Sequence, residues 1–208
     1  MAYVLGFFAA DGNMIRGKRG NHYISFYSCD REIIEKIRRV MGSEHKIYCK
    51  KSRKENHKNC YQIQIGSKKI FNDLILLGLT PDKSLTLKFP KIPDCYLADF
   101  IRGYFDGDGH VSTGFYTRYD RPVEAAKKHI LFAGFTSGSR IFLESLHAVL
   151  HYEGIVRGGT LYFLKGYRLS FSSQDSLRLY NFLYKDLKNS LYLPRKKKVF
   201  EKFMAMRA

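Results

Sequence analysis

The tightest constraint on this chain is that it states one pattern twice. Leu5-Gly6-Phe7-Phe8-Ala9-Ala10-Asp11-Gly12 and Arg102-Gly103-Tyr104-Phe105-Asp106-Gly107-Asp108-Gly109 both read x-Gly-aromatic-Phe-x-small-Asp-Gly, at an offset of 97 residues in a chain of 208. Weaker echoes follow in the same order. Phe26-Tyr27-Ser28 returns as Phe135-Thr136-Ser137, and Lys83-Ser84-Leu85-Thr86-Leu87 returns as Asn189-Ser190-Leu191-Tyr192-Leu193. A proline follows each of the last pair, Pro90 and Pro194. Ordered echoes across a chain mean duplication, so the fold must be built from two like halves. The expected division is residues 1–78, a linker over 79–94 punctuated by Pro81, Pro90 and Pro93, and residues 95–208.

Each half carries one rhythm. A short apolar helix ends at Asp-Gly. Two strands follow, about 13–18 and 22–28 in the first half and 110–117 and 129–136 in the second. Next comes an amphipathic helix. Ile33, Ile34, Ile37, Val40 and Met41 fall at helical spacing after Asp30, which can cap it, and Ile141, Phe142, Leu146, Val149 and Leu150 do so after Ser139. A second hairpin follows (45–50 with 60–65, and 155–164 with 166–172), then a closing helix (67–77 and 174–186). The fold class is α+β, an αββαββα unit used twice, with a last short helix over 196–206.

Charge narrows the partner. The 36 Lys and Arg outnumber 19 Asp and Glu, a net +17, which favours a polyanion, nucleic acid first. No apolar run reaches a membrane span, and the start lacks the pattern of a secretory signal. No membrane partner is expected, and the chain is expected to be intracellular, in a bacterial or archaeal cytoplasm or an organelle. The four cysteines contain no CxxC pair, and the looser set His45, Cys49, His57 and Cys60 matches no common zinc spacing.

Strand alternation separates two faces. Tyr61, Ile63 and Ile65 alternate with Gln62 and Gln64. Tyr167, Leu169 and Phe171 alternate with Arg168, Ser170 and Ser172. One face packs on helices; the other offers amides, hydroxyls and guanidinium groups beside basic loops, which suits a β-ribbon lying in a major groove. The candidate DNA contacts are Arg16, Lys18, Arg19, Tyr23, Ser25, Tyr27, Lys46, Tyr48, Lys50, Lys51, Arg53, Gln62 and Gln64 in the first half. In the second they are Ser112, Tyr116, Arg118, Phe132, Thr136, Arg157, Tyr162, Arg168, Ser170 and Lys196.

The repeated helix explains the chemistry. Gly6 and Ala10 are four apart, as are Gly103 and Gly107, so each helix carries a smooth stripe. Glycine inside a helix costs about 0.5–1 kcal/mol relative to alanine, and a close helix–helix contact through the two stripes offsets it. Asp11 and Asp108 then meet at one end of that contact. Paired carboxylates repel unless a cation lies between them, and oxygen ligands suit Mg²⁺, the ion many nucleases use beside the reacting phosphate. An EF-hand is excluded, because Val111 stands at its turn glycine and Thr117 at its bidentate acid.

Val4 to Gly12 and Ile101 to Gly109 resemble the two motifs of the LAGLIDADG homing endonucleases. Gly78-Leu79-Thr80-Pro81-Asp82-Lys83-Ser84, then Pro93, then Phe100 onward resembles the dodecapeptide-type branch, and the resemblance spans nearly the whole chain. It departs at Ala9, where the earlier acid of the motif would sit. The resemblance implies a monomer with pseudo-twofold symmetry, whose two antiparallel sheets form a saddle over a long double-stranded DNA site. It implies divalent metal, Mg²⁺ with Mn²⁺ able to substitute, held by Asp11 and Asp108 with the flanking Ala10, Gly12, Gly107 and Gly109. Both DNA strands would be cut, leaving 3′ overhangs. The family also places polar or basic residues near the metals to order water, and Lys83 is the expected catalytic residue of that kind in the first half; its repeat partner, Asn189, departs from that role. Asp30 and Ser137 lie where a water-ordering side chain is expected. The same fold also serves as an intron RNA maturase or as a non-cleaving transcription regulator, which is the alternative function; retention of both acids favours the nuclease.

Overall fold

A computed structural model describes residues 1–18, 20–52, 58–117, 127–187 and 191–207. The first half runs α1 (Ala2–Asp11), β1 (Gly12–Arg16), β2 (His22–Ser28), α2 (Arg31–Val40), β3 (Ile47–Lys50), β4 (Cys60–Gly66) and α3 (Lys68–Leu76). The second repeats it as α4 (Asp94–Asp108), β5 (Gly109–Thr117), β6 (Lys127–Ser137), α5 (Arg140–Tyr152), β7 (Thr160–Phe163), β8 (Tyr167–Phe171) and α6 (Ser173–Tyr184), and adds α7 (Pro194–Ala205). Each half holds one antiparallel sheet, in the orders β1-β2-β4-β3 and β5-β6-β8-β7.

α1 and α4 pack side by side through backbone. A Cβ on Gly6 would overlap the carbonyl of Phe100 and stand 2.9 Å from the amide nitrogen of Tyr104. A Cβ on Gly103 would overlap the carbonyl of Tyr3 and stand 2.9 Å from the amide nitrogen of Phe7. These contacts exchange under the 97-residue offset, so the two helices are related by an approximate twofold. Around them the aromatic residues repeat too. Phe8 meets Phe26 edge-on with ring centroids 5.1 Å apart, and Phe105 meets Phe135 at 5.5 Å.

The sheets lie under these helices with one face inward. Ile24, Phe26, Ile63 and Ile65 are buried in the first half, and Leu131, Ala133, Phe135, Leu169 and Phe171 in the second. Register then fixes the outer face: Tyr23, Ser25, Tyr27, Gln62, Gln64 and Tyr48 on one side, and Ser112, Tyr116, Phe132, Thr136, Arg168, Ser170 and Tyr162 on the other.

Several expected edges move, each for a local reason. The α2 cap is not made by Asp30, whose carboxylate leaves the helix to bind Arg195 at 2.8 Å. Ser139 does cap α5, accepting from the Phe142 amide. β7 begins at Thr160 rather than 155, because the amides of Arg157 and Gly158 donate to the Asp175 carboxylate instead of to a strand. β3 begins at Ile47 because Ser43 and His45 hold each other in a turn. Val40 and Ile141, expected in the core, are exposed at the margins of their helices. α7 starts at Pro194, whose ring suits the first helical turn. Cys49 and Cys60 point to opposite faces, so the loose thiol–imidazole set does not converge; His57 lies outside the described residues.

Gly103→Ala should destabilise the chain by about 3 kcal/mol or more, since the clash is with backbone and cannot be relieved by a rotamer. Gly114→Ala, with nothing within 4 Å of the new methyl, should change stability by less than about 0.5 kcal/mol. Urea denaturation of both variants checks the contrast.

Candidate active site at the helix contact

α1 and α4 each end on an aspartate and pass directly into a strand. Gly12 and Gly109 make that passage possible. Both have extended backbones, so the need is for space: a Cβ would overlap the carbonyl and ring of Phe8 or Phe105. The approach of the helices brings Asp11 to Gly107, where an added Cβ would lie 3.2 Å from its Oδ2 and would collide with the Ala10 methyl. Asp11 and Asp108 therefore share one region. Burial and the neighbouring Asp11 push the Asp108 carboxyl up to about 6, while Lys196 and Lys83 pull it down. Burial also raises Asp11, against Lys196, Lys83 and Arg195.

Two lysines balance the two acids. Lys83 donates to the Gly12 carbonyl at 2.5 Å with its ammonium 5.6 Å from the Phe8 ring centre. Lys196 donates to the Gly109 carbonyl at 2.6 Å and lies 5.2 Å from the Phe105 ring centre. Phe8 and Phe105, and Gly12 and Gly109, are repeat partners, so Lys83 and Lys196 occupy equivalent places. Burial lowers both, Lys196 to about 8. This corrects one expectation. Lys196 is only 5% exposed, so it is no surface contact to DNA. The second lysine of the site comes from position 196, where no such role was expected; Asn189 lies outside the described residues.

The two lysines arrive by different routes. Lys83 sits in the turns of 81–86, after Asp82 with its left-handed φ of 58°. Lys196 stands in the first turn of α7, with Phe200 and Phe203 on the same buried face. Residues of α4 hold the approach to it. Arg102 donates to the carbonyls of Leu183 and Leu191. Asp106 accepts from the Leu193 amide at 2.8 Å and from Tyr3 at 2.7 Å. Asp106 is thus a buried tether, and its carboxyl is pushed up to about 6 chiefly by burial.

The other expected residues divide. Gly12 and Gly109, expected among the metal-holding residues, each have the carbonyl bound to an ammonium group. Arg16 shares a face with Met14 and Ile24, and its guanidinium lies 5.5 Å from the Phe71 ring centre, so it is on the helix side and not on the outer face. Ser25 lies on the outer face but is 0% exposed, covered by its neighbours. Arg157 is exposed on a loop whose amide is tied to α6 through Asp175. Lys18, Lys46, Lys50 and Lys51 are exposed in the turn after β1 and along the β3–β4 arm. Arg19, Arg53 and Arg118 lie outside the described residues. Asp30 is paired with Arg195 and Ser137 accepts from the Ser139 amide, so both are engaged in local structure. On the outer face Gln62 donates to Tyr27 at 2.8 Å, which fixes both ends.

Sequence reasoning passed over Arg195, Tyr104 and His110. Arg195 joins α7 to the start of α2 and adds positive charge near Asp11. Tyr104 donates to the Thr136 carbonyl and is raised by burial and Asp108. His110 follows Asp108-Gly109, and burial, then Arg168 and Lys196, hold its pKa down. The spacing of Lys196, Phe200 and Phe203 was the available sign that Lys196 turns inward.

The residues present fit a divalent cation. Two carboxylates in poor solvent, raised by burial and, at Asp108, by its neighbour, gain from any charge placed between them, and carboxylate oxygen suits Mg²⁺ or Mn²⁺.

A twice-repeated α+β unit whose two leading helices pair and deliver an acid each defines a class of protein with a composite site on its pseudo-twofold axis. A profile of the LAGLIDADG-like domain matches residues 1–75 and 96–181, and the chain belongs to that family. No curated protein sequence matches it significantly. Its fold is similar to I-SmaMI bound to an uncleaved DNA target in the presence of calcium ions, at 11% identity and a TM-score of 0.64, over 99% of this chain and 89% of that one. It is also similar to the LAGLIDADG meganuclease I-AabMI bound to uncleaved DNA (15%, 0.63, 98% and 88%). The LAGLIDADG homing endonuclease I-LtrWI bound to target DNA gives 13%, 0.61, 99% and 88%. At these identities the likeness is one of fold.

A divalent cation held by Asp108 would have to displace its proton. Mg²⁺ affinity should therefore fall as pH drops through about 6, by up to tenfold per unit. Without cation the sign for stability is the reverse. The folded chain keeps protons on Asp106 and Asp108 between about 4 and 6 that the unfolded chain has released, so stability falls as pH rises through that window. The gain in Tm on adding Mg²⁺ should be near zero at pH 5 and grow towards pH 7, as thermal melts with Mg²⁺ and with chelator would record.

Proposed function

We propose that the chain is a site-specific DNA endonuclease that hydrolyses both strands of a long duplex target in a divalent-metal-dependent reaction. The observation that carries this reading is the meeting of Asp11 and Asp108 at the ends of two helices in backbone contact, each matched by a buried lysine. Two like charges in poor solvent are costly to keep, and a protein that only bound nucleic acid would gain nothing from them. That argues against the maturase or regulator alternative. Family membership and the DNA-bound state of the structural relatives support the same reading.

Asp11 and Asp108 would hold Mg²⁺, or Mn²⁺ in its place. When bound, such an ion supplies charge relief at the scissile phosphate and acidifies water. Around it the chain's own groups divide the work. Lys83 and Lys196, fixed by the Gly12 and Gly109 carbonyls, hold positive charge beside each acid and can orient water or offset charge building on phosphate oxygens. Lys196, its pKa lowered to about 8 chiefly by burial, donates to the carbonyls of Phe105, Asp106 and Gly109, which holds its charge in place beside Asp108. The approximate twofold would set one acid and one lysine against each strand, so a single chain would cut both, leaving 3′ overhangs as in the family it resembles.

Affinity and specificity would come from the sheets. Tyr23, Tyr27, Tyr48, Gln62 and Gln64 in one half, and Tyr116, Phe132, Thr136, Tyr162, Arg168 and Ser170 in the other, form outer faces that would lie as a saddle on the duplex. Lys18, Lys46, Lys50 and Lys51 would contact phosphates. Among the described residues no helix is long and apolar enough to cross a membrane.

Asp11→Asn and Asp108→Asn should each bind a selected duplex within a few-fold of the parent and fail to cut it. Lys50→Ala should leave the cleavage rate at saturation and lower the salt dependence of binding by about one unit of log slope. Gel-shift titrations at several salt concentrations, paired with cleavage of a duplex chosen from a random library, measure both. Plasmid cutting by either Asn variant contradicts the shared site.

A further inference from the structure

Two thiols meet at the edge of the outer face of the first half. The β2–β4 ladder ends with Ser28 opposite Tyr61, so one step on Cys29 stands opposite Cys60. Both share the face of Tyr27 and Gln62, their neighbours two positions away along the strands. Their sulfurs are 3.5 Å apart. Both are free, Cys29 exposed and Cys60 half-buried. Directly opposed residues of an antiparallel pair keep Cα atoms about 4.5–5.5 Å apart, within the roughly 4.4–6.8 Å that a disulfide spans. Here the chain is poised for a bond at the place where the ladder no longer ties β2 to β4.

We propose that Cys29 and Cys60 are a reversible oxidation site, a cross-strand dithiol that closes to a disulfide by exchange with a small-molecule disulfide. Cys29, the more exposed, loses its proton and attacks one sulfur of the oxidant. That S–S bond breaks, one thiolate leaves, and a mixed disulfide remains on Cys29. Cys60, deprotonated in turn, attacks the Cys29 sulfur and expels the second thiolate. The two leaving thiolates take up the two protons, so two cysteines lose two electrons and one external disulfide is reduced to two thiols. The Cys60 hydrogen bond and burial hold the Cys29 proton above the ordinary thiol range, which makes the exchange slow at neutral pH and faster in base.

The bond would pin the foot of the β3–β4 arm, which carries Lys46, Lys50, Lys51 and Lys58, to the end of β2. It would also close a loop containing α2 and β3, restricting the unfolded chain. The proposal does not depend on the nuclease reading, because it concerns sulfur chemistry and the arm alone.

The test uses the full chain and the Cys49→Ser/Cys95→Ser variant, each incubated with oxidised glutathione at pH 8 and read by intact mass, peptide mapping and Tm. The expected result is one peptide link between positions 29 and 60 in both, with loss of two hydrogens and a Tm higher by several degrees in the double variant, where exposed Cys49 and Cys95 cannot take up glutathione, all reversed by dithiothreitol. Cys60→Ser in the same background should instead keep a glutathione adduct on Cys29. Peptide mapping of the unsubstituted chain keeps the test intact if the double variant folds poorly. Adducts that persist on both cysteines without a link, a link between molecules, or an oxidised chain that melts no higher would overturn the proposal.

Discussion

Everything in this molecule is arranged about a contact between two helices whose backbones meet at two glycines. Gly6 and Gly103 let the backbones of α1 and α4 touch, and the rest of each half is hung from that contact. The glycines cost helix stability, which the aromatic packing of Phe8 on Phe26 and Phe105 on Phe135 offsets. Because each helix ends on its aspartate and the following glycine turns straight into a strand, the contact that joins the halves also brings their acids together. Packing and chemistry are here one feature, and a change that separates the helices would dismantle both.

The second theme is how the buried charge is kept. Two carboxylates raised by burial stand with two ammonium groups lowered by burial. The near twofold is kept in the positions of these groups and broken in how they are delivered. Lys83 comes from a turn between the halves. Lys196 comes from the appended helix α7, whose entry is tied down by Arg102 and Asp106. The departure at position 9 fits this. Ala9 is the repeat partner of Asp106, and the tether Asp106 supplies serves a segment found beside the second half.

The sequence showed the duplication, the order of elements and the pairing of Asp11 with Asp108, because these follow from short patterns with a strict period. It was less informative wherever a residue's role depends on a partner far along the chain. Asp30 reads as a cap and instead binds Arg195. Lys196 sits in a basic run and reads as a phosphate contact, yet its helical spacing with Phe200 and Phe203 turns it inward. Arg16 reads as an arm for DNA, but strand parity puts it with Met14 and Ile24. In each case a local preference yielded to tertiary packing, which one short window of sequence does not contain. Parity and helical period could have caught Arg16 and Lys196; no local signal marks the Asp30–Arg195 pair.

The most direct measurement is anomalous scattering from crystals of the chain soaked with Mn²⁺ and bound to its duplex. The account predicts Mn²⁺ density between the α1 and α4 termini, with carboxylate oxygens of both Asp11 and Asp108 as ligands and Lys83 and Lys196 beside them. Density that engages only one acid, or lies away from the helix contact, would contradict it.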